Sequence, residues 1–312
     1  MRRIDQIKNN SVICFLGDSI TANGIWINEI IHYLVSDFKD KNLKLYNCGI
    51  SGDNSAACMK RVYRDCLSLH PDYVVLMLGM NDIGVDLYKN DSEENLKRRQ
   101  SCIEKHKENM TALMDVISRN HAKLILCTPT ICGTVPNNIP EVGDFSPGLE
   151  ACSEFIREQA EKNGYMLIDF NEALWNYANL QEPIISGDCV HPTNYGYHIM
   201  AQLFMVQMGI KDTVDLEPYT ETNQQNKERF RVEQIIANVR FCEYAMRWSD
   251  VDPRSITIEE RKNWIREFAT LEKAHYWTAQ CTGDYLLTAD SRDEYIGKLI
   301  ELTNAMYREE SL

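Results

Sequence analysis

Tyr73-Val74-Val75-Leu76-Met77-Leu78, followed at once by Gly79-Met80-Asn81-Asp82, decides the fold. An unbroken apolar run with no polar alternation suits a strand covered on both faces, as in a parallel sheet packed between helices. Shorter runs of the same character stand at Val12 to Leu16, Leu43 to Tyr46, Leu124 to Cys127 and Tyr165 to Asp169. Between and after them, Ile25 to Phe38, Ser55 to Leu67, Glu93 to Asn120, Gly148 to Lys162 and Pro192 to Gln207 carry apolar residues at helical spacing. The alternation predicts a doubly wound α/β layer with a five-stranded parallel sheet over residues 1–212. Pro192 is expected at the first helical position, which leaves His191 in the loop before it.

From about Asp215 the pattern is helical only. One helix is expected over 223–248, a second behind the capping box of Thr257 with Glu260, and a third behind that of Ser291 with Glu294. Residues 213–312 therefore read as an α-helical extension. Its aromatic faces are expected to bury against the main domain or a sister subunit, which allows a homo-oligomer through these helices.

The 312 residues carry a net charge of -13, and no basic block stands on an aromatic-rich face, so nucleic acid is not an expected partner. No apolar run approaches the roughly 20 residues of a membrane span, and the start, Met1 to Gln6, leads into no apolar secretion segment. A soluble, cytoplasmic chain is expected. Eleven cysteines without a CxxC pair read as reduced thiols rather than as a disulfide framework or a zinc site. Cys189 invites a nucleophile reading, but no second histidine is spaced to activate it.

In open sheets of this kind ligands bind beyond the carboxyl ends of the strands, and the polar blocks of the sequence follow strands. Gly17-Asp18-Ser19 follows the first. Ser19 can serve there as a nucleophile, or only as a helix N-cap. Gly52, in Asn47 to Asp53 after the second strand, can bring a backbone N–H close to a ligand, although Ser51-Gly52-Asp53 also reads as a plain turn. Asn81 follows the third strand and offers a neutral side-chain donor. Asp188-Cys189-Val190-His191 sets a carboxylate three residues before an imidazole, so that one turn of backbone can hold Asp188 on Nδ1 while Nε2 faces the serine. The remaining histidines, His106 and His198 among them, lack this pattern and read as structural or solvent-facing.

Taken together, the Gly17-Asp18-Ser19 start, Gly52, the Gly79 to Asp82 segment and Asp188-x-x-His191 resemble the GDSL/SGNH hydrolase family, over about residues 10 to 210. The resemblance implies a flavodoxin-like three-layer α/β/α sandwich that needs no metal or other cofactor. It also implies a Ser19, Asp188, His191 triad with the Ser19 N–H, Gly52 and Asn81 as oxyanion donors. The helical third is not part of the family's minimal pattern.

The substrate expected is a small ester. Asp18, Asp82, Asn137 and Asn138 are the further candidates for contacting it, and the segments Ile83 to Glu94 and Ile131 to Leu149 should shape the pocket. Their polarity favours a short acyl group, acetyl above all, on a carbohydrate-like alcohol. A short-chain thioesterase or lysophospholipase would use the same triad, and a binding or scaffold protein working through its helical third is the alternative of another class.

Overall fold

The computed structural model describes residues 3–27, 29–30, 33, 41, 43–133, 143–180 and 182–217. Five strands form one parallel sheet in the order β2-β1-β3-β4-β5: β1 (Val12–Gly17), β2 (Lys44–Asn47), β3 (Tyr73–Met77), β4 (Lys123–Cys127) and β5 (Met166–Ile168). Each strand falls within a residue or two of the run that predicts it. Alternate residues of β1 and β3 enter two separate cores. Phe15, Tyr73, Val75 and Met77 belong to one, Cys14, Leu16, Val74 and Leu76 to the other. Burial of both faces is why these strands show no polar alternation.

The helices described are α1 (Ser19–Asn23), α2 (Ser55–Asp65), α3 (Glu93–Arg119), α4 (Ser146–Asn163), α5 (Phe170–Trp175) and α6 (Asn194–Gln207). In the segment expected to be helical from Ile25 onward, the described residues 25–27, 29–30 and 33 are helical. Trp26 stands edge-on to Phe15 and Phe170, both at 5.5 Å between ring centres, so this segment closes the core on that face of the sheet. Met110, Leu113 and Ile117 of α3 and Ile156 of α4 fill the other. Side chains cap five of the helices, each accepting a backbone N–H that the first turn leaves without a partner. They are Asp18 for α1, Asn54 for α2, Ser92 for α3, Asp169 for α5 and Thr193 for α6.

Two local expectations change. The helix expected from Pro192, α6, begins at Asn194 behind the Thr193 cap, and Pro192 lies before it, bridged antiparallel to Ile185. Pro192 thus closes a hairpin instead of opening a helix. The short α5 directly follows β5 and displaces the Asp188 to His191 segment from the strand end to the loop between α5 and α6.

The chain divides into two units, Met1–Tyr219 and Thr220–Leu312. The helices expected over 223–302 lie outside the described residues, as do Asn137 and Asn138. Among the described residues, no helix is long and apolar enough to cross a membrane.

Candidate active site

β1 pairs with β3 up to the register Gly17↔Met77, so the loops leaving both strands emerge side by side where the sheet order reverses. Gly17 is required there for space. A Cβ on it would stand 2.2 Å from Thr21 Oγ1 and 2.6 Å from the Met77 carbonyl oxygen. The chain turns directly into α1, and the N-cap is Asp18, whose Oδ1 accepts the Ile20 N–H at 3.0 Å. Ser19 is the first helical residue. Its hydroxyl is therefore free of the capping role, and its N–H is one that an α-helix leaves unbonded.

His191 arrives from the hairpin between α5 and α6. Ser186 N–H donates to the His191 carbonyl (2.8 Å) and Thr193 N–H to that of Ile184 (3.0 Å). Inside this hairpin Asp188 Oδ1 accepts the N–H groups of Val190 and His191, both at 2.9 Å, and the Ser186 hydroxyl at 2.6 Å. Cys189 makes the turn in the left-handed region, at φ 63°. Asp188 Oδ2 lies 2.6 Å from His191 Nδ1, and His191 Nε2 lies 2.8 Å from Ser19 Oγ. The three side chains form one hydrogen-bonded line.

The electrostatics follow from these contacts. Burial works to raise the Asp188 carboxyl, but the His191 ring, the Ser186 hydroxyl and the two backbone N–H groups outweigh it, so Asp188 stays ionised well below the usual range. The hydrogen bond to Asp188 raises the His191 imidazole above its ordinary value, and burial opposes this. Such a line can move a proton from a hydroxyl to an imidazole and stabilise the resulting cation. Cys189 cannot compete as nucleophile, since its side chain is buried and burial raises its thiol.

Gly52 occupies the third position of the Ile50–Asp53 turn, closed by the Asp53 N–H on the Ile50 carbonyl at 3.2 Å. Its φ of 78° suits glycine, and nothing lies within 4 Å of where a Cβ would stand. Asn81 Nδ2 donates to the Asp53 carbonyl at 2.8 Å. A carboxamide has two N–H bonds, so the same contact that fixes Asn81 leaves it one to donate. Asn47, at the end of β2, donates to the Thr21 carbonyl (2.8 Å) and accepts the Gly49 N–H (2.9 Å), which ties this loop to α1.

Two of the residues expected to touch substrate are turned inward. Asp18 is 2% exposed and holds the α1 cap. Burial pushes its carboxyl up to about 7, against the pull of the Ile20 N–H and of His191. Asp82 Oδ1 accepts the N–H and hydroxyl of Ser55 at the start of α2 and lies 3.3 Å from Nδ1 of the fully buried His106. It anchors a helix instead of facing a ligand. The segment 83–92 is held down as well: Arg99 of α3 lies 4.2 Å over the Tyr88 ring and donates to the carbonyls of Leu87 and Asn90.

A doubly wound α/β sheet with a Ser-His-Asp line at its switch point has the parts that acyl transfer requires. Residues 15–199 match the GDSL-like lipase/acylhydrolase family, and the chain belongs to it. It is a carboxylic ester hydrolase. An acetylxylan esterase of Geobacillus stearothermophilus is 21% identical over 225 residues, which cover 66% of this chain and 97% of that one. The solved structure of the Geobacillus stearothermophilus acetylxylan esterase Axe2 superposes with a TM-score of 0.55 at 20% identity, covering 66% of this chain and 97% of its own. A gut microbial diltiazem-metabolizing enzyme reaches a TM-score of 0.63 at 15% identity, over 95% of this chain and 96% of its own. At these identities the structural likeness concerns the fold.

Proposed function

We propose that this chain hydrolyses short-acyl esters, acetyl above all, of a carbohydrate-like alcohol, with Ser19 as nucleophile, His191 as general base and Asp188 as its orienting carboxylate. The observation that carries the reading is the unbroken line from Asp188 Oδ2 through His191 to Ser19 Oγ, at 2.6 and 2.8 Å. His191 takes the Ser19 proton as Oγ attacks the ester carbonyl. The oxyanion accepts hydrogen bonds from the backbone N–H groups of Ser19 and Gly52 and from Asn81 Nδ2. Collapse expels the alcohol, which receives its proton from His191. Water, deprotonated by the same imidazole, then attacks the acyl-enzyme, and the acid leaves with Ser19 restored.

Axe2 supports the assignment, since variants described as its catalytic mutants are changed at a serine, an aspartate and a histidine, the last two three residues apart. Asp188 and His191 have the same spacing. The acetyl preference draws on the same esterase, almost the whole of which is matched, and on an open site. The His191 and Asp188 side chains are 40% and 50% exposed, so a bulky hydrophilic alcohol can remain in water while a small acyl group reaches Ser19. The test is a screen of acetylated sugars against esters and thioesters of increasing acyl length, with Ser19→Ala as control. Turnover should be greatest for acetyl and vanish in the variant. Preference for a long acyl chain or for a thioester would overturn the substrate assignment.

A further inference from the structure

Arg61 stands on α2 and is 6% exposed. Its guanidinium binds the carboxyl ends of two neighbouring strands. Nη2 donates to the Gly17 carbonyl at 3.1 Å and Nη1 to the Cys48 carbonyl at 2.7 Å. Nε donates to the Asp53 carboxylate, and Asp65 Oδ2 lies 3.5 Å from Nη1 one turn further along the helix.

Each link leads to an oxyanion donor. Gly17 is two residues before Ser19, and Asp53 directly follows Gly52. The Asp53 carbonyl, in turn, receives Asn81 Nδ2 at 2.8 Å. The donors come from loops after β1, β2 and β3, and a single buried cation with its carboxylate partner joins those loops. We infer that Arg61, acting with Asp53, is a positioning residue that sets the mutual placement of the Ser19, Gly52 and Asn81 donors. The inference rests on the reading of Ser19 as nucleophile.

The chemistry suits arginine alone. A planar guanidinium presents five donors in a fixed fork and can hold two carbonyls and a carboxylate at once, whereas the three donors of a lysine ammonium rotate about one point. Placement matters because oxyanion donors must meet the developing charge, and a displacement of about 1 Å can cost about 10²-fold in rate.

The experiment compares Arg61→Lys, Arg61→Gln and Asp53→Asn in the full chain, with a chromogenic acetate as substrate and a trifluoromethyl ketone as mimic of the tetrahedral state. Rates are expressed per serine titrated with a fluorophosphonate, so loss of folded protein does not count as loss of catalysis. In the glutamine variant kcat per titrated serine should fall by about 10²-fold with KM unchanged, and ketone affinity should fall by the same factor. The lysine variant should retain part of both. Adding Asn81→Ala should cost less than the product of the single losses, because both act through one donor set. Should Arg61→Gln not fold, Arg61→Lys and Asp53→Asn carry the same comparison. An unchanged kcat per titrated serine, with only melting temperature or yield reduced, would overturn the positioning role and leave the Ser19 reading intact. If the unaltered chain shows no Ser19-dependent turnover, the functional reading fails and takes this inference with it.

Discussion

His191 Nε2 lies 2.8 Å from Ser19 Oγ, although the two residues are 172 positions apart in the chain. Two local structures hold this contact. The Asp18 cap places Ser19 in the first turn of α1, and the Asp188-braced hairpin fixes the imidazole ring through its other nitrogen. In the proposed mechanism neither side chain would have to reorganise before the proton moves, which is the kind of preorganisation that lowers an acyl-transfer barrier.

The imidazole must be neutral to accept that proton, and Asp188 raises it above the ordinary histidine value of 6.5. The acid limb of kcat/KM should therefore fall above that pH, with activity lost as pH drops through it. Replacing Asp188→Asn should move the limb to lower pH and reduce kcat by up to about 10⁴-fold, since the amide neither stabilises the imidazolium nor selects the tautomer. A pH–rate profile of both proteins checks this.

Asn81→Ala should lower kcat by about 10²- to 10³-fold, the range for one oxyanion donor, with little change in KM. The variant should also melt at lower temperature, because the Asp53 carbonyl loses its Asn81 partner. Equal losses in kcat/KM through KM alone would remove Asn81 from the oxyanion hole.

Asp18 links the site to stability. Its carboxyl holds a proton up to about 7 in the fold and releases it near 3.8 when unfolded. Between those values the folded state binds more protons, so this group makes stability fall as pH rises, levelling off above 7. At about 1.4 kcal/mol per unit, the upper bound is on the order of 4 kcal/mol. Asp18→Asn keeps an oxygen for the Ile20 N–H and removes the titration. The variant's gain in melting temperature should be largest above pH 7 and smallest below pH 4. Parallel curves across that range would contradict the buried, titrating carboxyl.

Gly17→Ala should destabilise the protein by about 1–3 kcal/mol in chemical denaturation, as overpacking does. The new methyl would meet the Met77 carbonyl, which is main chain within the sheet and cannot swing aside. An unchanged midpoint would show that β1 and β3 can part enough at Gly17 and Met77 to take the methyl.

The sheet was legible because its strands are apolar on both faces, and the Asp188–His191 contact because the two residues lie close in sequence. What escaped was set by contacts that leave no pattern. Asp18 and Ser19 both suit an N-cap, and only the backbone path decides that Asp18 takes the role. The six residues of α5 are too few to show a helical period. Arg61 reads as one more charge on an amphipathic helix, since two of its acceptors are main-chain carbonyls that any residue provides. Asp82, in the loop after β3, meets His106 of α3, with nothing in the chain between them to announce it.

Acyl transfer through Ser19 can be caught by rapid-quench mass spectrometry of the protein mixed with an acetyl ester. A transient acetyl group mapped to Ser19, absent in Ser19→Ala and formed far more slowly when His191 is replaced, is the predicted result. Turnover that persists in Ser19→Ala, or an acyl group found on another residue, would contradict it.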